Sequence, residues 1–111
     1  MRVAFIGGLD RLDRALTDLG RQKGIDVEVH YGDVKGRGAD ALAAIIRRSD
    51  HVIVVTGTNS HGGVRLAKQF AHDYGAKVWI MRTCGIGLAK RVLDDIASSN
   101  DADLRAIARA A

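Results

Sequence analysis

Proline is missing from the 111 residues, so the turns of this chain must rest on Gly, Asn, Asp or Ser. Cysteine occurs once, as Cys84, which rules out an internal disulfide. Aromatic residues make up 5% of the chain against 47% hydrophobic residues in all, so one ordinary core of Val, Ile, Leu and Ala is expected. No apolar run nears the ~20 residues of a membrane-spanning helix. Met1-Arg2 leads straight into VAFIG without the layout of a signal peptide, so the expected location is the cytoplasm. The net charge of +4 is spread along the chain. It favours anionic ligands but forms no basic arm. No aromatic platform or basic helix speaks for nucleic acid.

What is present alternates between two periods. Val3–Ile6 reads as a short buried strand ended by Gly7-Gly8. Leu9, Leu12, Leu16 and Leu19 follow at helical spacing, with Gly20 and Gly24 bracketing the expected helix end. Ile25–His30 alternates apolar and polar, as an edge strand with one less-buried face does. Tyr31–Gly38 is a glycine-rich loop carrying Lys35 and Arg37, and Ala39–Arg48 a helix turning Leu42, Ile45 and Ile46 inward.

His51–Thr56 is a continuous apolar run, so a central strand buried on both faces is expected. A helix from His61 to Tyr74 stops at Gly75. Lys77–Met81 is a fourth strand and Arg82–Gly87 its exit turn. Leu88, Val92, Leu93 and Ile96 mark a fourth helix, and Asp101–Ala111 a last one with acids early and Arg105 and Arg109 late. The pattern predicts one Rossmann-like α/β domain over residues 1–111. Its three layers would be α/β/α, around a four-stranded parallel sheet in the order 2-1-3-4, with an extra C-terminal helix.

In such sheets ligands bind beyond the carboxyl ends of the strands, where the winding reverses. Here that is between the first and third strands, at Gly7-Gly8 and Thr56–Gly63. Ser60 is the expected N-cap of the third helix, its hydroxyl accepting from the N–H of Gly62 or Gly63 and leaving the remaining first-turn N–H groups for an anion. Capping alone explains glycines and hydroxyls at a strand exit, but it does not need the bulky His61. The segment Gly57–Val64 has Walker-like glycine spacing, yet Gly63 and Val64 stand where Lys and Ser or Thr belong, so an ATPase is not expected. Cys84 lies before a helix whose dipole would lower its pKa, but the following Lys90-Arg91 puts the arginine of a cysteine-phosphatase loop one place too late. His30 and His61 fall at the carboxyl edge, whereas His51 and His72 read as structural and surface residues.

These residues carry a resemblance. The glycine pair Gly7-Gly8, the close of the second strand at His30 and Gly32, Ser60-His61 after the buried strand, and the exit Arg82, Gly85, Gly87 resemble the small bacterial family catalogued as domain-of-unknown-function family 2325. The likeness covers about Val3 to Ile96. It implies the fold and singles out Ser60 and His61. The surroundings Asn59 and Gly62-Gly63 depart from what the resemblance leads one to expect.

Three functions follow. The first is a small-ligand or cofactor-binding module. An anionic ligand would lie over Gly7-Gly8 and the Asn59–Gly63 helix start, with His30, Arg82, Lys35 and Arg37 around it. The second is a haem protein with His61 as the axial metal ligand, its apolar slot completed by dimerisation. The third is a hydrolase or phosphatase-like enzyme using His61 with Cys84 or Ser60. It lacks a carboxylate to orient the ring beyond Asp10 and Asp33. The fourth strand, an open edge carrying Trp79, makes a homodimer the expected assembly.

Overall fold

A computed structural model describes residues 1–7 and 12–110 of the chain. Gly8, Leu9 and Asp10 therefore lie outside the described residues. The elements run β1 (Arg2–Ile6), α1 (Asp13–Gln22), β2 (Asp26–His30), α2 (Gly38–Arg47), β3 (His51–Val55), α3 (His61–Tyr74), β4 (Lys77–Met81), α4 (Ile86–Ala97) and α5 (Asp101–Ala110). The strands form one sheet, β2-β1-β3-β4, with every pairing parallel. Ile6 lies between His30 and Val54, and Val55 beside Met81, so the loops that follow β1, β2 and β3 leave the same edge.

Strand alternation splits the core. Val3, Phe5, Ile53, Val55, Trp79 and Met81 face α1, α4 and α5, meeting Leu16, Leu93, Ile96, Leu104 and Ile107. Ala4, Ile6, Val52 and Val54 face α2 and α3, meeting Leu42, Ile46, Ala67 and Ala71. β3 is buried along its whole length, as its unbroken β-branched run requires. Edge strand β2 keeps only Val27 fully buried.

The end of α1, at Gln22, falls between Gly20 and Gly24 as expected, with Gly20 a buried residue of the last turn. A Cβ there would stand 2.3 Å from Val27 Cγ2 and 2.8 Å from the Ile25 carbonyl, so glycine lets the helix lie close on β2. The left-handed turn falls at Gly24 (φ 71°). Trp79 is not displayed at the open edge of β4. It is 8% exposed, turned under α5, and its Nε1–H donates to Nδ1 of buried His51 at 3.0 Å. The exposed aliphatic side chains of that strand are Val78 and Ile80, beside Lys77 at its start. No helix among the described residues is long and apolar enough to cross a membrane.

Candidate functional site

The exits of β1, β2 and β3 are tied together by Asn59 and Ser60. Ser60 is extended (φ −78°, ψ 155°), and its Oγ accepts from Gly63 N–H at 2.9 Å, capping α3. The same hydroxyl donates to the Gly32 carbonyl at 2.8 Å, so one side chain fastens the helix to the β2 exit. Asn59 Nδ2 donates to the Ile6 carbonyl at 3.2 Å. Its Oδ1 is buried and meets no donor among the described residues. A Cβ on Gly32 would stand 1.9 Å from that oxygen, and one on Gly63 2.4 Å. Both positions need glycine for packing, and Gly32 needs it also for its φ of +84°.

The expected open notch between β1 and β3 is therefore occupied by the protein itself. Asn59 fills it from one side. Over Gly7, Val55 O and Thr58 Oγ1 lie 2.9 and 3.5 Å from where a Cβ would be. Gly62 makes room for Val34, whose Cγ2 lies 3.0 Å from its would-be Cβ. These glycines serve close packing rather than an empty cradle. What remains at the helix end are the N–H groups of His61 and Gly62, which have no acceptor among the described residues; Gly63 N–H goes to Ser60 Oγ and Val64 N–H to the Ser60 carbonyl.

Open space lies next to the notch, along the flank of α3. A groove of about 540 Å³ is lined by Thr56, Asn59, Ser60, His61, Val64, Arg65, Lys68, Gln69 and His72. His61, Arg65, Lys68 and His72 recur at steps of four, three and four residues, so they form one stripe of the helix surface. Thr56, at the end of β3, leans toward β4, its Oγ1 3.4 Å from the Met81 carbonyl. Gly62 and its contact with Val34 lie on the other flank, under the β2–α2 loop. The lining holds no carboxylate, and the first turn of α3 has no acid. Asp73 stands at the far end, 3.7 Å from His72 Nδ1 and bonded by Gln69 Nε2 at 2.8 Å.

Of the residues expected from the sequence, the groove unites Asn59, Ser60 and His61. His30 stands elsewhere. Its Nδ1 accepts from Gly32 N–H at 2.9 Å, so Nε2 carries the proton and donates to the Gly38 carbonyl at 3.1 Å. With both nitrogens engaged, His30 shapes the β2–α2 loop. Arg82 is exposed outside the lining, and its carbonyl holds Gly57 N–H at 2.8 Å. Lys35 and Arg37 are exposed on the β2–α2 loop. Asp33 Oδ1 accepts from Lys35 N–H at 3.0 Å.

The lowered thiol pKa expected at Cys84 is overturned. The side chain is 7% exposed within the α4 and α5 core, and burial pushes the thiol up to about 11. Desolvation outweighs the nearby helix start. Among the described residues no three His, Cys, Asp or Glu side chains cluster as a metal would need.

Arg65, Lys68, Gln69 and His72 were missed in the sequence. The signal was there in the helical spacing of four basic side chains, but attention to the turn alone stops at Gly63.

The family described as "Uncharacterized protein conserved in bacteria (DUF2325)" matches residues 2–96. The chain belongs to this family. The match runs from β1 to the end of α4 and so takes in the whole groove. The chain is also similar to the UPF0751 protein DSY3086 of Desulfitobacterium hafniense (strain Y51), 30% identical over 86 residues, 78% of this chain and 84% of that protein. No solved structure matches the chain.

Proposed function

We propose that this protein binds a small anionic ligand in the groove along α3, with the helix start at its head. The observation that carries this reading is the lining itself: His61, Arg65, Lys68 and His72 on one helical stripe, with no carboxylate among the lining residues. Two free N–H groups at the positive end of a 14-residue helix add to it. The volume of about 540 Å³ falls within the range of small-molecule sites, roughly 300–1,000 Å³. From the His61 to the His72 position the stripe rises roughly 16 Å, which suits an extended anion with several charges better than a single phosphate. The Thr56 hydroxyl, at a long 3.4 Å from the Met81 carbonyl, offers a neutral donor at the head that can orient such a group, whereas the Ser60 proton is already given to Gly32. In this role the domain binds and presents its ligand; the groove lining contains no carboxylate to orient His61 as a base.

The haem alternative finds less support. Val64 is the one aliphatic side chain in the lining, and a porphyrin face needs an apolar wall.

The test is thermal unfolding and calorimetric titration with phosphate, pyrophosphate and tripolyphosphate at low and moderate salt. The affinity should climb with chain length and fall with salt. A ligand at about a hundred times its Kd adds about 2.7 kcal/mol, several degrees for a domain of this size. Arg65→Gln with Lys68→Gln should abolish that gain while leaving the unliganded melting temperature in place. Equal response in the double variant, or none in the parent, would remove the proposal.

A further inference from the structure

We infer that β4 is a self-pairing edge, and that two copies of this chain join through it into a continuous eight-stranded sheet. β4 is the last strand on its side of the sheet. Lys77 N–H and the Met81 carbonyl point back toward β3, bonding the Asp50 carbonyl and Thr56 N–H. By alternation the N–H and C=O of Val78 and Ile80 point outward, and they have no hydrogen-bond partner among the described residues. An edge of this kind is a template for another strand.

Twofold symmetry selects the register. An antiparallel pair centred on Trp79 sets Val78 of one copy opposite Ile80 of the other. Both are then hydrogen-bonded pairs that exchange two bonds each. The outward groups of Val78 and Ile80 are all used, which a centre on Val78 or on Ile80 does not achieve. The same register stacks side chains. Val78 and Ile80 lie on the α2/α3 face of the sheet, opposite Trp79 and Met81, and are 37% and 36% exposed. Opposite partners in an antiparallel pair share a face, so these four aliphatic side chains would close over one another.

Charge on the other face fits the same arrangement. α5 runs alongside β4 in the same direction: Asp101 bonds Lys77, while Arg105 and Arg109 line a groove of about 390 Å³ with Val78, Trp79 and Ile80. α5 begins with Asp101 and Asp103 and ends with Arg109. Antiparallel pairing brings the acidic start of one α5 to the basic end of the other. Arg105 meets its own copy near the axis, a like-charge approach in this register. Because the axis is perpendicular to the sheet, both α3 grooves would open on the same face of the dimer. The pairing does not depend on what those grooves bind.

The experiment measures solution mass by light scattering across a concentration series, then tests register by disulfide trapping in a Cys84→Ala background. The parent should approach twice 11.9 kDa and melt higher as concentration rises, and Ile80→Lys should return it to the monomer mass with its circular dichroism kept and that concentration dependence lost. Val78→Cys with Ile80→Cys should give a covalent dimer on mild oxidation. Paired Cα atoms there would be about 5.5 Å apart, within disulfide reach. Val78→Cys alone should not cross-link. A monomer at every concentration would overturn the inference, whether or not an added peptide pairs with the edge. So would cross-linking by the single variant, which would mean another register.

Discussion

Asn59 explains most of what a residue-level reading of this site can explain. Its amide occupies the space that glycine spacing suggests is empty, and it makes Gly32 and Gly63 obligatory. Gly63→Ala would drive a methyl group to 2.4 Å from both Asn59 Oδ1 and the Gly32 carbonyl. Overpacking of this kind costs typically 1–3 kcal/mol, and with backbone on one side the upper end is expected, measurable by urea denaturation. Ser60→Ala should cost about 1 kcal/mol through the lost cap, and it also frees the Gly32 carbonyl. By contrast, His61→Ala should leave stability unchanged, since the ring is exposed and bonds nothing among the described residues; its effect should appear only in binding. Cys84 belongs at this scale too. With its pKa raised to about 11 by burial, it should resist maleimides and disulfide reagents at neutral pH until the protein unfolds, as mass spectrometry with and without denaturant will tell.

At the scale of elements, the strands and helices were legible in the sequence because each hydrophobic period had one reading. β3 is the clearest case, an unbroken β-branched run that only a central parallel strand accommodates. The second role of Gly20, letting α1 lie close on β2, was not legible, because a glycine near a helix end and one that lets a helix touch a strand look alike in sequence. The site was half legible. The strand-to-helix turn announced Ser60 and His61, but which side of the helix stays open depends on Asn59 and Val34, brought in by long-range contacts. The stripe down α3 could have been read from spacing; the filled notch could not.

The α4–α5 joint carries a pH response. Asp95 Oδ2 is buried without a donor among the described residues, and the Asp103 carboxylate lies against it, so the two can bond only by sharing a proton. That arrangement, ahead of burial, raises the Asp95 pKa to about 6 from the usual 3.8. The folded state then holds the proton more tightly than the unfolded chain. This contribution to stability is fully present below about 3.8 and is lost as pH rises through 6. His51 works in the opposite sense. Burial lowers its pKa below 6.5, so its share is lost as pH falls below that value. Asp95→Asn should flatten the decline between pH 4 and 6 in a series of thermal melts. At pH 7.5 it should raise the midpoint by a few degrees.

On the scale of the whole molecule, the chain is a small parallel sheet with two unequal covers. α1, α4 and α5 close one face across to Trp79, whereas α2 and α3 leave Val78 and Ile80 in view on the other. The edge proposed to pair is a consequence of that shortfall. Of the cations behind the net charge of +4, counted with neutral histidines, Arg65 and Lys68 stand on the α3 stripe proposed to bind an anion. Association with a polyanion should therefore weaken steeply with salt.

The most direct test of the groove is a tripolyphosphate titration followed by amide chemical shifts. The account predicts that the His61 and Gly62 N–H resonances move furthest, with Thr56, Arg65 and Lys68 following, and that Lys35, Arg37 and Arg82 stay still. Shifts confined to Lys35, Arg37 and Arg82, or scattered over every exposed cation, would contradict it.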